Sequence, residues 1–166
     1  MDEVDDVVEM AAQTRFFARR RDRAHYRMAL RMDRQERLLG VPVILLSTIV
    51  GTTIFATLQD EASAGWRIAT GSLSVMAAAL AALQTFFNFG GEAQRHAAAA
   101  SGYARAWRHM WLFETRYKDG RRSRDAALEE FASLLGEIDE LEEHAPRIST
   151  KVWQKVKAEQ AAETRS

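Results

Sequence analysis

Two stretches without a single ionisable side chain constrain this chain more than any other feature. Residues 38–58 (LLGVPVILLSTIVGTTIFATL) and 68–89 (IATGSLSVMAAALAALQTFFNF) contain no Asp, Glu, Lys, Arg or His. A helix of about 20 residues, rising about 1.5 Å per residue, crosses the roughly 30 Å hydrocarbon core of a bilayer. Both stretches are long enough. A soluble helix of this length usually turns a charged face to water, and neither stretch has one. The expected fold is all-α: an integral membrane two-helix hairpin, with spans at 38–58 and 67–89 and an outer loop at 59–66. The competing reading is a hairpin buried inside a soluble helical bundle.

The formal net charge of zero hides a strong pattern. Residues 1–14 carry five acids and no base, whereas residues 15–37 carry nine Arg against three acids. The loop between the spans holds Asp60 and Glu61, an acidic outer mouth. Residues 90–125 carry eight bases against four acids, and residues 126–166 nine acids against five bases. Lys and Arg near span ends are retained on the cytoplasmic side. The arginines before residue 38 and after residue 89 therefore predict cytoplasmic termini and a tiny outer loop. The expected location is a bacterial inner membrane, with the first span acting as an uncleaved signal anchor. No cysteine is present, which excludes disulfides, thiolate metal sites and cysteine nucleophiles.

Three regions follow from this pattern. Residues 1–37 read as a cytoplasmic basic amphipathic helix, with a weak apolar stripe through Val4, Val8, Ala11, Ala18, His25, Met28 and Met32. That helix can lie on anionic headgroups or pack against the C-terminal helices. Residues 38–89 form the hairpin. Gly40 and Pro42 open its first span, where Pro suits a first helical turn, and they mark one hinge. Gly90 and Gly91 close the second span and mark another. Residues 90–166 read as a cytoplasmic helical region. It contains an aromatic-rich helix from Glu92 to Tyr117 and an amphipathic helix from Ala126 to His144. Pro146 breaks the latter, and a short helix capped by Ser149 or Thr150 frays from about Ala161.

No catalytic constellation appears, so the chain is not expected to be an enzyme, and no cofactor is expected. His25, His96, His109 and His144 lack metal-ligand spacing and read as surface or interface residues. The Arg-rich helix is better explained by topology than by nucleic acid, so no nucleic-acid partner is expected. The informative pattern lies in the second span. Thr70, Ser74, Ala77, Ala81, Gln84 and Asn88 recur at steps of three or four and share one helix face. Either this face packs against small residues of the first span (Ser47, Gly51, Thr52), or it lines a pore. Two helices cannot enclose a water path, so a conducting form needs a homo-oligomer, most simply a cyclic one.

Several short motifs also carry a resemblance. They are the Leu-Gly-x-Pro run ending at Pro42, Gln84 and Phe86 at the close of the second span, and His96 followed by Tyr103. Together they resemble the SLATT domain, a two-transmembrane effector family associated with bacterial nucleotide-signalling conflict systems. The resemblance implies a pore-forming effector of anti-phage defence that permeabilises the inner membrane on a signal. It also implies a trigger from a partner that makes or senses a nucleotide, or from a ligand at the cytoplasmic helices, since this chain shows no separate sensor region. With the resemblance added, pore lining becomes the favoured use of the polar face. The alternative function is a membrane-anchored scaffold that binds a cytoplasmic partner without conducting.

Overall fold

The computed structural model describes residues 4–57, 63–119 and 123–163. Five helices follow in order: α1 (Asp5–Thr57), α2 (Ala64–Phe87), α3 (Phe89–Tyr117), α4 (Arg124–His144) and α5 (Thr150–Glu163). No strand occurs among the described residues. The chain divides into two compact units. One comprises Met1–Leu30 with Ala93–Ser166, and the other comprises Arg31–Glu92.

The first unit is a helical bundle organised by heptads. On α1, Val4, Ala11, Ala18 and His25 recur every heptad, with Val7 and Met28 on the companion positions; all are buried. On α3, His96, Tyr103 and Met110 do the same, alongside Ala99, Ala106 and Phe113. A heptad repeat keeps one seam of a helix facing its neighbour. Alanines on α1 and aromatics on α3 make the two seams complementary in volume. From α4, Ala127, Phe131 and Ile138 complete the core, and Phe113 packs against Tyr117 and Phe131 at ring-centroid distances of 4.6 and 5.9 Å. Gly102 lets α4 come close, because a Cβ there would run into the Leu141 side chain.

The helix ends follow local chemistry. Ser123 caps α4 by accepting from the Ala126 N–H, and Ser149 does the same for α5 through Val152. Ala145 is extended, as a residue before proline prefers, so α4 stops ahead of Pro146. Contrary to the fraying expected from Ala161, α5 stays helical to Glu163.

The basic helix does not lie free. Its arginines meet the acids of α3–α5: Arg15 with Glu114 (2.7 Å), Arg21 with Glu142 (3.0 Å), Arg23 with Glu163 (2.8 Å), and Arg27 with Glu159. Arg20 donates to the Gln160 side chain, whose amide donates to the Phe16 carbonyl. Of the two sequence alternatives, packing against the C-terminal helices is the one observed. The basic helix and the acidic C-terminal region are thus partners in charge. The expected region 1–37 is also cut differently, because residues up to Leu30 belong with the C-terminal helices.

In the second unit, α1 runs helical through Gly40 and Pro42. Pro42 therefore sits inside a long helix rather than in the first turn of a span. Its ring removes one backbone N–H and crowds the carbonyl of Leu38. The opposite junction also differs from expectation. The chain breaks at Asn88 (φ 44°, ψ 45°), while Gly90 and Gly91 lie in the first turn of α3. Asn88 serves both helices. Its N–H donates to the Gln84 carbonyl and closes α2, and its side-chain Oδ1 accepts from the Gly91 N–H and opens α3. The glycines are needed for close approach. A Cβ at Gly91 would lie 2.6 Å from the Asn88 amide, and one at Gly90 would strike the Glu36 carboxylate.

Candidate functional site

Two places concentrate unusual residues: the α1–α2 hairpin and a buried histidine pair in the bundle. In the hairpin, side chains turned inward recur on α1 at Leu39, Val43, Leu46 and Val50. On α2 the inward face contains Thr70, Ser74, Ala77, Ala81 and Gln84, with Ala77 buried, and also Leu73 and Leu80. The Gln84 amide lies against Gly40, 3.1 Å from where a Cβ would stand. A side chain at position 40 would require the Gln84 amide to shift. Within one chain, the polar face of α2 is therefore in its helix-packing role. Of the small residues expected opposite it, Gly51 is partly buried, whereas Ser47 and Thr52 are exposed, as is Thr48.

Most of these hydroxyls make no demand on water. Thr70 donates to the Trp66 carbonyl, Ser74 to Thr70, Thr48 to Ile44, and Thr52 to Thr48, at 2.8–3.0 Å. Each is satisfied within its own turn, as transmembrane Ser and Thr require. Asn88 is exposed, and Phe86 is 81% exposed. Asp60 and Glu61 lie outside the described residues.

The outer surfaces of both helices are apolar and uncovered. Leu38, Ile44, Ile68 and Val75 are each two-thirds exposed or more. The most apolar windows of the two long helices are only 0% and 6% buried. A hairpin at the centre of a soluble bundle would be buried, so that alternative fails. Apolar surface of this extent needs lipid or protein over it.

Of the surface or interface placement expected for His25 and His96, the interface is the one observed, between α1 and α3. Their exposures are 0% and 2%, and their Nδ1 atoms stand 2.9 Å apart. The Tyr103 ring, also fully buried, stacks on His25 with centroids 5.5 Å apart. An Nδ1–Nδ1 hydrogen bond requires one ring to carry the proton there and the other to offer a lone pair. His25 Nε2 and the Tyr103 hydroxyl have no hydrogen-bond partner among the described residues. Burial, then His96, then Arg21 lower the His25 pKa to about 4, so the ring is neutral near pH 7. Burial raises the Tyr103 hydroxyl above its ordinary value. His96 and Tyr103 entered the reading as motif residues; His25 did not. Its signal was its place in the apolar stripe of α1, on the heptad of Val4, Ala11 and Ala18.

The other two histidines are surface groups. His109 pairs with Glu137 at 3.3 Å, and His144 Nδ1 lies 2.9 Å from the Glu140 carbonyl of its own helix. Both line a cleft of about 440 Å³ between α3 and α4. Among the described residues, no group of three or more His, Asp or Glu is placed to hold a metal ion.

The fold and its uncovered apolar hairpin define a class: an all-helical membrane protein with two candidate spans and a heptad-packed helical unit. Residues 21–164 match the SMODS and SLOG-associating 2TM effector domain family 4, and the chain belongs to that family. No curated protein and no solved structure matches it.

Proposed function

We propose that the chain is a pore-forming effector of the bacterial inner membrane in anti-phage defence, with both termini cytoplasmic. It assembles as a homo-oligomer and opens on a signal from a partner protein or a nucleotide. The observation that carries this reading is the uncovered apolar surface of a hairpin too small to enclose water by itself. Lipid covers part of that surface, and neighbouring copies cover the rest. The polar face of α2 packs on α1 in the single chain, so conduction along that face requires the hairpin helices to part or rotate. The Ser47, Thr48 and Thr52 face of α1 is the other polar route. Family membership supports the effector role.

Because the chain lacks cysteine, cysteines can be introduced singly at Ser47, Thr52, Ser74 and Ala81. In liposomes holding an ion-sensitive dye, wild-type chain with its activating partner passes ions. A charged thiol reagent then blocks flux only from positions that line the path. A bilayer that stays tight under every activating condition removes the pore reading.

The α2 packing favours a second reading, in which the hairpin only tethers a helical scaffold that binds a cytoplasmic partner. Replacing both spans by an unrelated hairpin preserves function under that reading and abolishes it under the first.

A further inference from the structure

We infer that the outer face of α4 docks on the outer face of α5 in a second copy of the same chain, head to tail. The inference rests on the homo-oligomer of the pore reading and names its contact. Both faces belong to the helical bundle.

α4 buries Ala127, Phe131 and Ile138, and the side turned away from them exposes Glu129, Ala132, Ser133, Gly136, Glu140 and Glu143. A Cβ at Gly136 would meet nothing within 4 Å, so open space adjoins the middle of this face. α5 buries Val156 and Gln160, and its outer side exposes Lys151, Lys155, Ala158 and Ala162. One face is acidic near its C-terminal end and small before it. The other is basic near its N-terminal end and small beyond it.

Neither set of charges is satisfied within the chain. The paired acids of α4 are Glu130, Glu137 and Glu142, with Arg116, His109 and Arg21. Glu140, Glu143, Lys151 and Lys155 form no ion pair among the described residues. Lys155 lies near Glu159, but that carboxylate is bonded to Arg27. Two of these groups also stand at the wrong end of their own helix. Glu143 lies in the last turn of α4, where the macrodipole is negative, and Lys151 in the first turn of α5, where it is positive. An opposite charge from a second copy relieves both.

The spacing fits an antiparallel contact. Read backwards, α4 presents Glu143, Glu140, Gly136 and Ser133; read forwards, α5 presents Lys151, Lys155, Ala158 and Ala162. Across these sets the helices rise about 15 and about 17 Å, so acids meet lysines and small residues meet small residues in one register. Small side chains let helix axes approach to about 8 Å. Exposed charges add little binding energy singly, but they choose partner and register. The two surfaces differ, so the contact is heterologous, and heterologous contacts that close make rings.

Because the chain lacks cysteine, the contact can be tested with one copy carrying Gly136→Cys and a tagged copy carrying Ala158→Cys. The full-length chains are co-expressed and oxidised in the membrane. Expected is a disulfide between tagged and untagged chains, with neither variant linking to itself. Lys151→Glu with Lys155→Glu in the tagged copy should lower the yield about tenfold. Glu140→Lys with Glu143→Lys in the untagged copy should then restore it, which excludes misfolding as the cause of the loss. Self-linking of the Gly136→Cys chain marks a symmetric α4–α4 contact and overturns the inference. So does a yield that ignores both reversals, or no disulfide at all. Loss without rescue assigns the lysines to anionic headgroups rather than to a second copy, and also overturns it. Ion flux on activation without the α4–α5 disulfide removes this contact and leaves the pore reading intact. The disulfide with a bilayer that stays tight does the reverse.

Discussion

Asn88 is where α2 and α3 are most sharply dependent on one side chain, and its replacement separates two costs. Asn88→Ala loses the side-chain acceptor of the Gly91 N–H, a capping loss of about 1 kcal/mol. It also leaves an alanine at φ 44°, where an L-residue other than Asn or Asp pays roughly a further 1 kcal/mol. Asn88→Gly removes the conformational cost and, as a cap, sacrifices only a few tenths of a kcal/mol. The chain in mild detergent reports both through amide exchange. The Glu92 N–H, bonded to the Asn88 carbonyl at 3.1 Å, senses the backbone conformation. It should exchange about thirtyfold faster in Asn88→Ala, from a total near 2 kcal/mol, and nearly normally in Asn88→Gly. The Gly91 N–H, bonded to the side chain, should lose protection in both. Equal protection of Glu92 in all three proteins would refute the two-helix role assigned to Asn88.

The ion pairs between α1 and its partners should be unequal. In a double-mutant cycle, Arg15 and Glu114, whose side chains are 25% and 16% exposed, should couple by about 1–2 kcal/mol. Arg23 and Glu163, whose acid is largely solvated, should couple more weakly than Arg15 and Glu114. Denaturant unfolding of the solubilised chain, followed by Trp107 and Trp153 fluorescence, measures both, and equal couplings would contradict the burial argument. The bundle should also lose stability in acid. The His25 pKa is depressed on folding, so its contribution is complete above about pH 6.5 and is lost as pH falls towards about 4. Burial raises the Glu114 carboxyl, which acts with the opposite sign and favours the folded form as it protonates. Stability should thus fall first below about pH 6.5, where the unfolded chain takes up a proton on His25 and the folded chain does not. His25→Gln should lack the first fall.

The spans were legible in the sequence because lipid imposes a rule on composition alone: no charge for about 20 residues. The last three helices were legible from periodicity, as Phe131 and Ile138 illustrate. The use of the polar face of α2 was not. Thr70, Ser74 and Gln84 satisfy the same spacing whether they face α1 or a water path, and only the position of Gln84 against Gly40 distinguishes the two within one chain. The break at Asn88 was displaced to Gly90 and Gly91 because glycine is the commoner signal for a turn. Here the glycines serve close contact, while an asparagine takes the left-handed conformation. The histidine pair was missed because it joins residues remote in sequence. Each member looks like an isolated surface histidine until the heptads of α1 and α3 are laid side by side.

Those heptads bear on orientation as well. In the folded bundle Arg15, Arg21, Arg23 and Arg27 are paired with acids, which offsets their charge. Timing restores them. Residues 15–37 and the first span leave the ribosome before α4 and α5 exist, so the acids that later neutralise α1 are absent when orientation is set. Under the proposed topology, the same arginines act twice, first as a retention signal and later as partners in the bundle. Arg31 and Arg34 are exposed, and Arg37 bonds only the neighbouring Asp33. Reversing Glu142, Glu159 and Glu163 to Lys should loosen the bundle and leave both termini cytoplasmic. Replacing Arg19, Arg20, Arg31, Arg34 and Arg37 by Glu should let a fraction of chains insert inverted. Reporters fused to each terminus, scored for periplasmic or cytoplasmic activity, separate the two effects. Inversion by the acid reversals alone would mean that orientation is set by the folded bundle, and the two-stage account would fall.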